Sequence, residues 1–294
     1  MKKSGEAMRL LGSVTQGSGA VNEDGFGVVG ATEISSAWIF DGVTGINARN
    51  YLPAATDAQW LVTRAHKHLL ELAGQDIALP DLLSRLVEAV VTDWKAASAG
   101  LDLPPNYDPP AACLILAKRY GDGWKALRLG DSCLLARDSD RSHRIFVASP
   151  NNAFDNWLSR EARKRRDAGV LDIKALLAEF RPQLQAGRAK RNQPDGYSIL
   201  ECSEASLAMP EYIDLGHPAE ILLCTDGYYR AVDHYEMCDD ASLLDASAAS
   251  VGKVLEKLRA IEATDHDCQR FLRFKPADDA TAVMLALQTE EQDQ

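Results

Sequence analysis

Residues 38–42 read Trp38-Ile39-Phe40-Asp41-Gly42, an apolar run that ends in an acidic residue and a glycine. The bulky apolar residues predict a buried β-strand, and the Asp-Gly pair marks the point where that strand ends. A carboxylate at the end of a buried strand is held at a fixed place on the rim of a sheet. These residues therefore predict a core strand with a candidate ligand, Asp41, at its edge.

Other acidic residues share this setting at the ends of predicted strands. They are Glu23-Asp24 before the run at 25–30, Asp226-Gly227 after the run at 221–224, and Asp278-Asp279 before the run at 280–287. Like charges gathered on one rim repel each other unless a cation neutralises them. Oxygen ligands with glycine beside them suit Mg²⁺ or Mn²⁺. A single Asp-Gly pair is most often only a turn, but four acidic positions together favour a metal site.

The order of predicted elements indicates an α+β protein. Strands are predicted at 10–15, 25–30, 37–40, 112–117, 125–129, 133–136, 144–147, 197–200, 221–224 and 280–287, and helices at about 54–73, 82–97 and 243–262, with a mostly helical stretch at 155–192. Neighbouring strands follow one another with helices grouped between them, whereas a parallel sheet needs regular strand–helix alternation.

Composition excludes several classes of protein. The 294 residues carry 32 Lys and Arg against 43 Asp and Glu, a net charge of −11, which disfavours nucleic acid as a partner. No apolar run approaches the roughly 18 residues that span a bilayer, so no membrane association is expected, and the absence of an apolar leader predicts a cytoplasmic protein. The six cysteines form no Cys-x-x-Cys pair and are expected to be reduced.

Five short segments, in this order, resemble the metal-dependent protein phosphatase family of the PP2C type, in particular its bacterial serine/threonine phosphatases. They are Val21-Asn22-Glu23-Asp24-Gly25, Trp38-Ile39-Phe40-Asp41-Gly42, Leu129-Gly130-Asp131-Ser132, Leu223-Cys224-Thr225-Asp226-Gly227 and Asp278-Asp279-Ala280-Thr281. The resemblance implies a four-layer α-β-β-α sandwich of two antiparallel sheets flanked by helices. It also implies a single domain over 1–294, with a basic helical insertion or flap at about 150–196.

The resemblance also implies two bound Mn²⁺ or Mg²⁺ ions. Asp41 would bridge them, with Glu23 and the Gly42 carbonyl completing one site and Asp226 and Asp278 the other; Asp41 and Asp226 are the expected catalytic residues. Asp24 would lie behind the ligands. Asp131 matches a ligand of a third metal ion, but a Gly-Asp-Ser turn accounts for it equally well, and both interpretations stay open.

Two positions depart from the family pattern. Gly19 stands where many members have an arginine that grips the substrate phosphate, and Val43 follows the Asp-Gly pair where His or Met is common. Residues 155–192 carry ten Lys or Arg against five Asp or Glu. Most often such a segment is only a solvated helix face. The alternative is that Arg163, Lys164, Arg165 and Arg166 bind the substrate phosphate in place of the absent arginine.

The predicted function is therefore that of a metal-dependent phosphatase acting on phosphoserine or phosphothreonine in proteins. One alternative is a weakly active or regulatory binding protein with the same fold, and another is a phosphatase of a small phosphorylated metabolite. The expected partner is a phosphorylated protein, and a monomer is favoured.

Overall fold

The structure is a computed structural model, and it describes residues 7–147, 153–170 and 172–288. The strands are β1 Met8–Gln16, β2 Gly25–Val29, β3 Ser36–Gly42, β4 Ala111–Tyr120, β5 Gly123–Leu129, β6 Cys133–Asp138, β7 His143–Phe146, β8 Leu200–Glu201, β9 Glu211–Gly216, β10 Pro218–Cys224 and β11 Ala280–Leu287. The helices are α1 Asp57–Leu72, α2 Leu79–Ser98, α3 Ala153–Asp167, α4 Ile173–Glu179, α5 Arg181–Arg188, α6 Asp226–Asp233 and α7 Asp240–Thr264, with a short 3-10 turn at Glu204–Leu207.

The strands form two antiparallel sheets. The five-stranded sheet has the order β1-β11-β10-β6-β7. The six-stranded sheet has the order β2-β3-β4-β5-β9, with β8 paired to β4. The predicted α+β sandwich is confirmed.

Alternate residues along each strand enter different layers of the core, because successive side chains of a strand point to opposite faces. In β3, Ile39 joins the apolar layer between the two sheets, whereas Trp38 and Phe40 pack under α1 and α2. In β10, Leu223 faces the other sheet and Leu222 packs under α6 and α7. Two helices thus cover the outer face of each sheet, which completes the four predicted layers.

Most predicted elements are present. One predicted strand is shorter than expected, and one strand and one helix of the structure were not predicted. The strand expected at 197–200 is reduced to β8, Leu200–Glu201, because residues 191–197 form a tight turn. Strand β9 was not predicted, although Ile213 and Leu215 alternate toward the core. Helix α6 was not predicted either, because Asp226 and Gly227 were expected only to follow the strand at 221–224.

The predicted insertion at 150–196 lies within the described residues except for 150–152 and 171. Helices α3, α4 and α5 bury a small apolar cluster of their own, centred on Leu158, Ala162 and Phe180. Phe274 also packs against this cluster, which connects the flap to residues 265–276, the segment before β11. We call residues 265–276 the anchoring loop. That the whole of 1–294 is one domain stays a prediction.

Among the described helices, none has the length and apolar character needed to cross a membrane. The six cysteines are free, as predicted.

Candidate metal centre

The predicted acidic residues converge at one rim of the sandwich. Asp41 is the penultimate residue of β3, Asp226 begins α6 directly after β10, and Asp278 precedes β11. Asp41 is close enough to Asp226, Asp24, Asp131 and Asp278 for each of them to perturb its ionisation. The fold thus brings together carboxylates that are far apart in the sequence, such as Asp24 and Asp278, which are separated by 254 positions. The sequence-based grouping of these residues in space is supported by this geometry.

Asp41 and Asp226 form the most crowded pair of the cluster. Burial, followed by repulsion from Asp226, raises the pKa of Asp41 well above its usual range. Removal from water, followed by repulsion from Asp278, raises the pKa of Asp226. The Asp226 side chain is nevertheless 42% exposed, so the cluster opens to solvent on this side. Two carboxylates this close require a proton or a cation between them.

Glu23 lies beside the cluster, where Gly42 packs on it. Its Oε2 accepts a hydrogen bond of 2.7 Å from the Thr44 hydroxyl. Its Oε1 is buried and has no partner among the described residues. An unpartnered buried carboxylate oxygen is costly unless a cation satisfies it. Glu23 therefore fits the predicted role of a metal ligand.

Gly42 packs directly on Glu23, which explains why a glycine follows Asp41. A Cβ atom on residue 42 would lie 2.4 Å from the Glu23 carbonyl oxygen. Gly227 has the same role at the start of α6, because a Cβ there would lie 1.9 Å from the Asp279 carbonyl oxygen. Both glycines allow backbone segments that carry ligands to approach each other.

Asp24 and Asp279 support the ligands from behind. Asp24 accepts a hydrogen bond of 3.0 Å from the Thr225 hydroxyl, within the buried part of the molecule. Asp279 accepts hydrogen bonds from the Ser18 and Glu23 backbone amides, each of 2.7 Å. The position of Asp24 is consistent with its predicted place behind the ligands. No role was predicted for Asp279, although its position beside Asp278 was the available signal.

Asp131 lies at the exposed edge of the cluster, in the turn between β5 and β6. One oxygen each from Asp41 and Asp131 and the Cys113 sulfur lie within 4.8 Å of one another. The Cys113 thiol donates to Asp131 at 3.1 Å, and burial raises the pKa of this thiol well above its usual range. Asp131 is thus placed to serve a third cation, and its role stays a prediction.

Asp278 differs from the other predicted ligands because a cationic group lies close to each of its two carboxylate oxygens. Arg230 Nη2 and Lys275 Nζ each lie 2.7 Å from one of its carboxylate oxygens. Burial acts to raise the pKa of Asp278, but Lys275 and Arg230 outweigh it and lower the pKa to about 2. Neither Arg230 nor Lys275 was predicted to belong to this site.

The family model for protein phosphatase 2C matches residues 11–273. The chain belongs to the protein phosphatase 2C family. Asp278, the ligand with its own cationic partners, lies beyond the matched residues.

Solved structures share the protein phosphatase 2C fold with this chain. The Mycobacterium tuberculosis serine/threonine phosphatase PstP/Ppp is 16% identical, with a TM-score of 0.55 over 96% of this chain and 99% of that one. The catalytic domain of PstP in complex with two manganese ions is 17% identical, with a TM-score of 0.51 over 96% and 99%. The Staphylococcus aureus phosphatase Stp1 is 11% identical, with a TM-score of 0.54 over 98% and 99%. No sequence among the curated proteins matches this chain.

The basic residues predicted to bind phosphate are tied to other parts of this phosphatase 2C chain. Arg163 donates to the Cys268 and Gln269 carbonyls, and Arg166 to those of Arg273 and Phe274, all in the anchoring loop. Lys164 and Arg165 pair with Glu161 and Glu179 on the flap itself. A substrate role for these four residues stays a prediction, but Arg163 and Arg166 hold the flap in place.

A different arginine of the flap contacts the segment that follows β3. Arg188, the last residue of α5, donates to the Thr44 carbonyl at 2.6 Å and is paired with Asp108. Arg191 shares Asp108 at 3.0 Å. Because the Thr44 hydroxyl binds Glu23, this contact connects the flap to a predicted metal ligand through a single residue.

Proposed function

We propose that this chain is a metal-dependent serine/threonine protein phosphatase that hydrolyses phosphomonoesters. The observation that carries the proposal is the convergence of the Asp24, Asp131, Asp226 and Asp278 carboxylates on Asp41. Beside this cluster, the Glu23 Oε1 atom is buried and has no partner within the described chain. Membership of the protein phosphatase 2C family and the likeness of its fold to PstP and Stp1, both named serine/threonine phosphatases, support it.

The proposed metal ligands are divided between two positions. Glu23, Asp41 and the Gly42 carbonyl would hold one Mn²⁺ or Mg²⁺ ion, and Asp41, Asp226 and Asp278 the other, with Asp131 available for a third. Bound metals supply an activated water and neutralise charge on the phosphoryl oxygens. Asp41 is proposed as the residue shared by both positions, because the Asp226 carboxylate lies near it and the next residue, Gly42, packs on Glu23.

The chain itself positions these ligands and keeps them rigid. Thr44 orients the Glu23 carboxylate, and Asp279 fixes the backbone at Glu23 and Ser18. Val43 carries no proton that it could donate to the leaving group. Gly19 contributes no side chain to phosphate binding, and the flap and the metals must supply that affinity.

The test measures hydrolysis of a phosphothreonine peptide and of p-nitrophenyl phosphate, with Mn²⁺, with Mg²⁺ and with chelator. Hydrolysis should require the cation and should be abolished in Asp41→Asn. Asp195→Asn is the matched control, because the Asp195 side chain is 79% exposed and belongs to a surface pair with Lys190. Retained activity in Asp41→Asn would exclude the proposed mechanism.

The same assay separates the alternatives. A regulatory binding protein would bind the phosphopeptide without hydrolysing it. The absence of an arginine at position 19 favours this alternative. A metabolite phosphatase would hydrolyse small phosphate esters and leave the peptide intact.

A further inference from the structure

Both carboxylate oxygens of Asp278 are occupied by cations of the chain. Lys275 Nζ lies 2.7 Å from Oδ1, and Arg230 Nη2 lies 2.7 Å from Oδ2. The same Arg230 nitrogen is 3.9 Å from Asp226. One half of the predicted metal centre, made of Asp226 and Asp278, therefore already contains two positive charges.

The two cations differ in their freedom to move. The Arg230 side chain is 11% exposed, extends from helix α6 four residues after Asp226, and is fixed by its place on that helix. Its Nε and Nη1 atoms are buried and have no partner among the described residues. The Lys275 side chain is 33% exposed and belongs to the anchoring loop, so its ammonium group can move into solvent.

The other half of the centre has no such partner in the described chain. Glu23 accepts a hydrogen bond from a neutral hydroxyl only, and its second oxygen is unpaired. Asp41 is surrounded by the carboxylates of Asp226, Asp24 and Asp131. A cation that binds at Glu23 and Asp41 therefore relieves repulsion, whereas one that binds at Asp278 must displace a hydrogen-bonded ammonium.

We propose that Lys275 and Arg230 make the two metal positions unequal, so that Asp278 accepts a second cation only when Lys275 leaves it. The inference rests on the proposed metal centre and adds an order of binding to it. The first cation occupies Glu23, Asp41 and Gly42 tightly, and the second binds weakly at Asp226 and Asp278. Lys275 thereby acts as an internal competitor of the second metal ion.

The experiment is calorimetric titration of the chelator-treated full chain with Mn²⁺. The wild-type protein should show one tight and one weak site. Lys275→Met, which keeps the length of the side chain and removes its charge, should tighten the weak site by about tenfold or more and leave the tight site unchanged. Lys190→Met is the matched control, because Lys190 forms an exposed pair with Asp195 at 3.9 Å.

Each result has one meaning. Two results would refute the claim that Lys275 competes with the second metal ion: two sites of equal affinity in the wild type, or an unchanged affinity of the weak site in a folded Lys275→Met. Either result would leave the proposed metal centre intact. A chain that binds no Mn²⁺ would overturn both this inference and the proposed function. Lys275→Gln, checked by the same titration, guards against loss of folding in the methionine variant and should behave alike.

Discussion

Thr44 holds the Glu23 carboxylate in place, and its removal should weaken metal binding. The Thr44 hydroxyl donates to Glu23 Oε2 at 2.7 Å, a short bond to a charged acceptor. Glu23 is 6% exposed, so water cannot readily take the place of the hydroxyl. Thr44→Val replaces the hydroxyl by a methyl group of nearly the same size and leaves both Glu23 oxygens without a partner among the described residues.

The magnitude follows from the nature of this bond. A hydrogen bond to a charged group contributes about 1.5 to 3 kcal/mol, which corresponds to roughly 10- to 100-fold in an equilibrium constant. Loss of a group that orients a metal ligand lowers metal affinity by a similar factor of about 10 to 100. Thr44→Val should therefore weaken the tighter Mn²⁺ site by about tenfold or more, while the fold is kept.

The assay is calorimetric titration with Mn²⁺, supported by the rise in melting temperature that the cation produces. Thr44→Ser should restore most of the affinity, because it returns the hydroxyl. Thr92→Val is the matched control, since the Thr92 hydroxyl donates to the Glu88 carbonyl on an exposed helix surface. If Thr44→Val binds Mn²⁺ within about twofold of the wild type, the hydroxyl does not position Glu23 and the reasoning is refuted.

Three further predictions concern the supports of the centre. Gly227→Ala should destabilise the protein by roughly 1 to 3 kcal/mol and weaken Mn²⁺ binding, because its Cβ would lie 1.9 Å from the Asp279 carbonyl oxygen. Thermal unfolding measures the loss of stability, and titration measures the loss of Mn²⁺ affinity. Gly252→Ala in α7 is the control. Against the effect of burial, the Arg270 and Phe271 backbone amides and Arg273 lower the pKa of Asp265 to about 2, so its contribution to stability is complete above its ordinary pKa and lost as pH falls toward 2. Asp265→Asn should cost about 3 kcal/mol at neutral pH and progressively less as the pH approaches 2, measured by denaturant unfolding; a difference that does not change with pH would contradict the ion pair. Residue 19 has open space where a Cβ would lie. Gly19→Arg should raise kcat/KM for a phosphothreonine peptide by about tenfold, and Gly19→Gln is the uncharged control. If both variants have the same kcat/KM, this loop does not face the phosphate.

The sequence could predict the acidic cluster because its members follow a simple rule. A buried strand ends at the rim of its sheet, so the residues that follow it also lie at that rim. Asp41 directly follows an apolar run, Asp226 follows another after Thr225, and the structure brings the two carboxylates close enough to repel each other. The two-sheet arrangement was expected only from the resemblance to the phosphatase family, because β3 and β10 are mostly apolar on both faces and show no alternation.

The cations of the centre could not be predicted by the same rule. Arg230 reaches Asp278 because Asp226 begins helix α6, where residues four apart share a face, and this helix was not predicted. Lys275 lies in an irregular loop whose direction no local pattern encodes. Helix α6 forms because Tyr228 and Ala231 bury against the five-stranded sheet, a tertiary effect that outweighs the local turn signal.

The flap shows the same limit of local reasoning. Its density of Arg and Lys is visible in the sequence, but the partner of each side chain depends on long-range packing. Arg163 and Arg166 are absorbed by carbonyl groups of the anchoring loop, whereas Arg188, about twenty residues later, reaches Thr44. Charge composition therefore predicts that a segment is basic without identifying which of its residues meets the site.

Glu23 is where these separate supports meet. Thr44 binds its carboxylate, Asp279 binds its backbone amide, and the Gly42 backbone packs against its carbonyl group. These contacts come from the segment after β3, the segment before β11 and the end of β3 itself, and Arg188 adds the flap through Thr44. A ligand fixed from three directions loses little conformational freedom when a cation binds, so the cation meets an oxygen that is already oriented. Asp278 is held just as firmly, but by the positive charges of Lys275 and Arg230, which repel an incoming cation. Because of this contrast, the two halves of the centre should bind their cations one after the other.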